Sequence, residues 1–263
     1  MDLEIRNRVA VVTASSQGLG RAVAVALAAE GARLAICSRD ASRIRDAGAA
    51  LERQYGVEVL ALACDVTRPE EVSGLRDRVL KRFGTVHILF TNAGGPPPGG
   101  ILDQRTADFE AALRLNLLST IDLVYAFLPA MQEQRWGRIV ASTSITLRQP
   151  LPALALSNVS RAGVAAFVKN LSLEVAADNI TANTVAPGYI MTERVQRILA
   201  ARAEKEGISF EQALGSLARE IPAGRIGTPE EFGALVAFLA SERASYLNGE
   251  TILLDGGLHR GLP

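Results

Sequence analysis

A doubly wound α/β domain with a parallel sheet is the fold this sequence predicts, on three observations. Seven short apolar runs alternate with helix-length segments along the whole chain. Most of these runs are continuously apolar rather than alternating, as strands covered on both faces of a parallel sheet must be. A glycine turn, Gly18-Leu19-Gly20, follows the first run and opens the first helical segment, where such folds bring backbone close to a phosphate.

In order, Val9-Ala-Val-Val-Thr13 predicts the first strand and 20–30 the helix after it. Arg33-Leu-Ala-Ile-Cys37 predicts the second strand, with a helix over 41–55. Glu58-Val-Leu-Ala-Leu62 and a helix over 69–83 form the third pair. Val86-His-Ile-Leu-Phe90 leads to a long helix over 109–134, and Arg138-Ile-Val-Ala141 to a helix over 158–177. Ile180-Thr-Ala-Asn-Thr-Val185 is the sixth strand. A more polar stretch from Tyr189 to Ile221 then predicts a small helical lobe within the same domain, not a second one. A helix over 230–240 and Glu250-Thr-Ile-Leu-Leu254 close the series. The crossovers are expected to be right-handed, giving one domain over 1–263 with a sheet of about seven strands. The loop Gly94-Gly-Pro-Pro-Pro-Gly-Gly100 is stiffened by proline and flanked by glycine, so a positioned rim and a hinged one both fit.

A chain of 263 residues with 48% hydrophobic content can bury a full core. Its 28 basic and 28 acidic side chains balance, so no diffuse positive field favours nucleic acid or an anionic membrane. The opening Met1-Asp-Leu-Glu-Ile-Arg lacks the pattern of a signal peptide, and no apolar run reads as a bilayer span. These features predict a cytoplasmic protein. Cys37 and Cys64 make no disulfide framework. Buried strand-end thiols are their plain reading and a redox pair on adjacent strands the sharper one.

Several ordered motifs resemble the short-chain dehydrogenase/reductase family over essentially the entire chain. Thr13-Ala-Ser15-Ser16-Gln-Gly18-Leu19-Gly20 is similar to the family's Thr-Gly-x-x-x-Gly-x-Gly, with Ala14 in place of the first glycine. An alanine there resists the positive φ a glycine adopts freely. Asp65-Val66 resembles the acidic site at the adenine ring, and Asn92-Ala93-Gly94 the turn beside the nucleotide. Asn116 stands where the family carries its structural catalytic Asn. Pro187-Gly188-Tyr189-Ile190-Met191-Thr192 resembles the segment that meets nicotinamide, which would place Thr192 near the carboxamide and phosphates. Asp255-Gly-Gly257 matches the end of the last strand.

At the end of the second strand, an acid would favour NAD by accepting bonds from the ribose 2′-hydroxyl. Here Ser38 occupies that position and Arg39 follows. A guanidinium pairs well with a 2′-phosphate, and Ser16 can add a hydroxyl, so NADPH is the expected cofactor. The plain alternative is a solvated Arg39 with Asp40 capping the next helix.

The reaction centre departs from the family pattern. Ser144 matches the family's serine, but Ser157 and Arg161 stand where the resemblance implies Tyr and Lys. A phenol titrates near pH ~10 and can be pulled toward neutrality by a cation. Ser157 is far too weak an acid for such tuning. Arg161 can keep the ribose contact but cannot relay a proton. Tyr189 and His259 are the other candidate donors, each with a packing or terminal role as its plain reading; Arg148 is a candidate for an anionic substrate. His87 opens a strand on the side away from the expected cofactor edge. No metal-ligand spacing is present.

Two function classes follow. One is an NADPH-dependent oxidoreductase acting on a ketone or alcohol, resembling the 3-oxoacyl-carrier-protein reductase branch, with an atypical proton donor. The other is an NADPH-binding protein with little turnover, a sensor or partner subunit. The resemblance also implies a homodimer or homotetramer, with the Asn116 helix and the stretch Ser160-Arg-Ala-Gly-Val-Ala-Ala-Phe-Val168, rich in small residues, at a two-fold interface.

Overall fold

The computed structural model describes residues 1–261. Its seven strands are β1 (Val9–Thr13), β2 (Arg33–Ser38), β3 (Val59–Ala63), β4 (Ile88–Thr91), β5 (Gly137–Ser142), β6 (Ile180–Pro187) and β7 (Thr251–Leu254). They form one sheet in the order β3-β2-β1-β4-β5-β6-β7, every neighbouring pair parallel. The order reverses at β1 and β4, so the loops leaving these two strands diverge and open a crevice at the carboxyl edge.

Eight helices occur among the described residues. They are α1 (Gly18–Ala29), α2 (Ala41–Tyr55), α3 (Pro69–Phe83), α4 (Thr106–Glu133), α5 (Ala155–Val175), α6 (Glu193–Glu206), α7 (Phe210–Glu220) and α8 (Pro229–Leu239). Alternate residues of each strand feed opposite cores. Val9 and Val11 join α3, α4 and α5 on one face, while Ala10 and Val12 join α1, α2 and α8 on the other. Both faces are covered, which is why the strands read as continuous apolar runs. Gly233 lets α8 close on α1, since a Cβ there would lie 2.6 Å from Ala22 O.

Local chemistry sets several helix starts. The Asp40 carboxylate accepts from Ser42 N and Arg43 N at 2.9 and 3.0 Å, capping α2. Pro69 opens α3, with Glu70 and Glu71 in its first turn facing the dipole. Ser209 with Gln212 and Thr228 with Glu231 form capping boxes at α7 and α8. The expected lobe is these α6 and α7 helices, closed over a small core of Leu199, Ala203, Ala213, Leu217, Ile221 and Ile226.

Helix α4 passes a length-and-composition test for a membrane span, and it packs on the sheet, burying Leu123, Val124, Phe127 and Met131 in the core. One expected boundary is corrected. Helix α5 begins at Ala155 rather than Asn158, so Ser157 sits in its first turn and Arg161 one turn on, along the same face. The 94–100 loop is a positioned rim: Gly99 N donates to Ala153 O at 2.7 Å, and Ala155 N donates back to Gly99 O at 3.3 Å.

Candidate active site

A cleft of about 530 Å³ runs along the carboxyl edge of the sheet, over the ends of β1, β2 and β4. Ser16, Gly18, Leu19, Ser38, Arg39, Asp65, Val66, Asn92, Ala93, Gly94 and Thr192 line it, as the sequence led one to expect.

The glycine turn has the geometry a phosphate needs. Gly18 takes φ +60° and has only Thr192 near it, 3.8 Å from where a Cβ would stand. Gly20 is buried beneath the turn, since a Cβ there would strike Ala14 O at 2.3 Å. Ala14 is forced to φ +49°, the left-handed conformation that glycine takes without cost.

Thr13 and Ser15 support the cleft from inside and do not line it. Thr13 Oγ1 accepts from Asn92 N and donates to Asn92 O, both at 2.8 Å, which ties the end of β1 to the turn after β4. Ser15 is fully buried and donates to Val12 O at 2.9 Å. Pro187, Gly188 and Ile190 also lie off the main cleft. A Cβ on Gly188 would meet Asp255 at 2.8 Å, and Ile190 lines a separate cavity of about 140 Å³ with Tyr189 and Gly227.

At the far end, Ser38, Arg39 and Arg43 surround the end of β2. Arg43 reaches Gln17 Oε1 at 3.0 Å and lies 3.5 Å from Asp40. Sequence reasoning missed Arg43, although its place four residues after Arg39 across a helix start was a usable signal. Asp40 caps α2, so Arg39 is left free to face the cleft. Burial pushes the Asp65 carboxyl up, but bonds from Thr67 N and Oγ1, with Arg39 and Arg68 nearby, hold it below its ordinary range.

Cys37 and Cys64 are buried free thiols at the ends of β2 and β3. The hydrogen bond between them, with burial, raises the Cys37 thiol well above its ordinary value, and the same bond lowers that of Cys64.

The residues expected to form the reaction centre, Ser144, Ser157 and Arg161, lie where α5 meets the end of β5, and neither they nor Asn116 line the main cleft. Arg161 is buried and donates from Nη1 to Ser142 O at 3.0 Å and Thr143 O at 3.1 Å. Ser144 follows directly, and its Oγ accepts from Thr146 N at 3.2 Å. Burial, with Arg194 adding like charge, lowers the Arg161 guanidinium to about 10. Ser157 is partly exposed on the same face of α5.

Asn116 is buried in a π-turn, Arg114–Leu118, inside α4. Its Nδ2 donates to Ser160 Oγ at 3.2 Å, and Thr120 Oγ1 donates to its carbonyl at 2.8 Å. Ser119 Oγ likewise donates to Leu115 O at 2.5 Å. Hydroxyls bonding back one turn loosen a helix, so Ser119-Thr120 after Asn116 was a readable sign of the turn. The turn brings Leu115 to the cleft wall.

The other candidates resolve plainly. Burial and the Glu220 charge raise the Tyr189 phenol, and its ring packs on the lobe core, so it is not tuned as a proton donor. Arg148 is exposed. His259 N donates to Asp255 Oδ2 at 2.8 Å, and Arg260 N donates to Gln149 Oε1 at 3.4 Å, drawing the tail toward the loop after Ser144. His87 lies at the opposite edge against Trp136, with ring centroids 5.8 Å apart. A residue that sequence reasoning passed over, Arg194 of α6, reaches across the cleft and donates from Nη2 to Pro96 O at 3.2 Å.

Comparison with known proteins agrees with this geometry. A family model described as enoyl-(acyl carrier protein) reductase matches residues 13–259. Dehydrogenase/reductase SDR family member 4 of Oryctolagus cuniculus is 34% identical, over 96% of this chain and 94% of its own length. The 3-oxoacyl-[acyl-carrier-protein] reductase FabG of Vibrio cholerae is 33% identical, over 98% of this chain and 99% of its own. Among solved structures, L-sorbose reductase from Gluconobacter frateurii, complexed with NADPH and L-sorbose, superposes with a TM-score of 0.97 at 34% identity, covering 100% of both chains.

Proposed function

The chain belongs to the short-chain dehydrogenase/reductase family, and from that premise we propose that it reduces a carbonyl compound with NADPH, through a proton donor other than the family's tyrosine. One observation carries the cofactor choice: two guanidiniums, Arg39 and Arg43, flank Ser38 at the strand end where an acid would select NAD. NADPH fits the residues present. Gly18 and Gly94 leave open backbone facing the cleft, and the one carboxylate near the end of β2, Asp40, has its charge engaged by the α2 cap and by Arg43 at 3.5 Å. The L-sorbose reductase and FabG relatives support the same reading.

When bound, NADPH supplies hydride to the carbonyl carbon. The chain's own residues hold and orient. Gly18 and the first turn of α1 would receive the pyrophosphate, with Thr192 opposite. Asp65 would accept from the adenine. Ser144 would hold the carbonyl oxygen, and Asn116 fixes the head of α5 through Ser160. Arg161, pinned to the end of β5, would keep a permanent cation near the ribose. Water would deliver the proton to the carbonyl oxygen in place of Ser157.

A second reading, a nucleotide-binding protein with little turnover, is favoured by the same Ser157 and Arg161. Titration with NADPH and NADH followed by a ketone panel separates the two. Tight NADPH binding with measurable ketone reduction supports the reductase, and tight binding with none supports the binder. Equal affinity for both nucleotides removes the cofactor argument. Assembly by the α4 and α5 faces is part of the proposal: Leu118, Tyr125 and Val159 are exposed there at 40, 63 and 44%. A monomer by light scattering would exclude the dimer or tetramer. Two buried free thiols fit a reducing compartment, the cytoplasm.

A further inference from the structure

Cys37 and Cys64 take no part in the chemistry described so far, and they form a pair. Cys37 is in register with Leu62 on the neighbouring strand, and Cys64 follows Leu62 by two residues, which returns its side chain to the same face of the sheet. Both thiols accordingly join the core cluster that holds Leu62 and Val66, not the opposite one. Cys64 N donates to Ser38 O at 2.9 Å, so the ladder between the two strands continues as far as this cysteine. Within that frame the Cys37 thiol donates to the Cys64 sulfur, and this bond holds Cys64 below its ordinary range against burial and the Glu71 and Asp65 charges.

The pair also underlies the cofactor cleft. Cys64 is 3% exposed, yet it belongs to the cleft wall, next to Asp65 and Val66. The Cys37 carbonyl accepts from Ser15 N at 3.1 Å and from Ser15 Oγ at 3.3 Å, so Cys37 anchors the turn that carries Ala14 and Gly18. A strand spacing of ~4.8 Å and a rise of ~3.3 Å per residue put diagonal Cα atoms about 8 Å apart, and a disulfide spans at most about 7 Å. Closing the bond therefore draws the two strand ends together. Ala63 is the last residue of β3, so the segment after it, with Asp65 and Val66, is the side that gives. A bond strained in this way is readily reduced again, the property of a regulatory disulfide and not of a structural one.

We propose that Cys64 and Cys37 form a redox modification site for a small peroxide, reached through the cleft when no nucleotide covers it, and that their disulfide closes the adenine end to NADPH. The Cys64 thiolate attacks hydrogen peroxide: an S–O bond forms, the O–O bond breaks, and the departing hydroxide takes up the proton the thiol lost, leaving as water. The Cys37 sulfur then displaces the hydroxyl of the Cys64 sulfenic acid and gives up its own proton, and a second water leaves. One peroxide is reduced to two waters as two thiols are oxidised to one disulfide. The consequence for NADPH rests on the nucleotide placement proposed above; the thiol chemistry does not.

The test treats the folded, reduced chain with hydrogen peroxide, removes the excess with catalase, unfolds the chain in iodoacetamide and weighs it by mass spectrometry. The wild type should lose two hydrogens and take up no alkylating group, and dithiothreitol should reverse both changes. Cys37→Ser should instead stop at one added oxygen on Cys64, located by dimedone, and Cys64→Ser should show neither product. The oxidised wild type should bind NADPH about tenfold more weakly or worse, the scale of one lost bond to a charged group. By linkage, saturating NADPH must then favour the reduced pair by the same factor, read as a shift of its equilibrium with a glutathione buffer. Two thiols that stay fully alkylatable, or a disulfide that joins two chains, would overturn the proposal. So would an internal disulfide with unchanged NADPH affinity. If a serine variant fails to fold by circular dichroism, the wild-type mass and its reversal still decide. A reduced chain that binds no NADPH sinks the nucleotide placement, and the mass and dimedone readouts then decide the thiol site alone.

Discussion

Installing the missing acid should raise the reduction rate, and the structure sets the size of the gain. In Ser157→Tyr/Arg161→Lys the new phenol stands one helical turn before the new ammonium, on one face of α5. Ser157 is partly exposed, so a ring enters without overfilling the core. The loss is at Arg161, whose bonds to Ser142 O and Thr143 O are 3.0 and 3.1 Å. A shorter ammonium keeps one of them well, at a cost of about 1 kcal/mol. A well-positioned acid-base group is worth roughly 10²–10⁴ in rate. Without a supporting shell most of that is lost, so a gain of about 10- to 100-fold is expected from the pair, and less from Ser157→Tyr alone beside the intact guanidinium. The assay is NADPH oxidation against pH at saturating ketone. The double variant should acquire a titrating group that the wild type lacks. A folded double variant that binds NADPH but is no faster would refute the reasoning. So would a wild type running at ordinary dehydrogenase rates, indifferent to Ser157→Ala and Arg161→Ala; His259 would then be the next residue to change.

Three further outcomes are expected. Arg39→Asp should weaken NADPH by about 2–3 kcal/mol, and Arg43→Ala by about 1 kcal/mol because it is exposed and shared with Gln17, with NADH little affected in both; calorimetric titration checks this, and a parallel loss of NADH affinity would refute it. Ala14→Gly relieves a left-handed alanine at φ +49°, worth about 1–2 kcal/mol, less about 0.4–1 for the freer unfolded chain. A higher Tm is expected, and an unchanged or lower one contradicts the strain. His87 is held down to about 4 by burial and by Arg8 and Arg33, so the unfolded chain takes up a proton below pH ~6.5 that the fold refuses until about 4. Stability should therefore fall across that window as pH drops, and His87→Asn should flatten the acid limb of Tm against pH; parallel limbs would refute the assignment.

The strands were legible because both sheet faces are buried, which writes each as an apolar block. Ends were less so. The strand expected from Val86 begins at Ile88, while the His87 ring accepts from Val9 N at 3.1 Å, an arrangement no local pattern announces. The cofactor end was legible because glycine and its neighbours act through local backbone. Ser15 looked like a cleft residue only because it lies in the motif; its hydroxyl is spent on Val12 O. Arg194 was invisible because its partner, Pro96 O, is 98 residues away and is a backbone atom common to every residue. The π-turn at Asn116 inserts one residue into a turn, which apolar periodicity is too coarse to register.

The exchange of Tyr and Lys for Ser and Arg changes what the site can do with charge. A tyrosine-lysine pair moves a proton between groups that can each lose one. Arg161 at about 10 is deprotonated in only about one molecule in a thousand at neutral pH, so it stays a cation through any turnover. A fixed cation can still stabilise the negative charge that grows on a carbonyl oxygen as hydride arrives, and it does so without reorganising. The proton then need not arrive in the same step. Water can supply it afterwards, and the chain needs no tuned acid. Such a site would act through field more than through proton transfer.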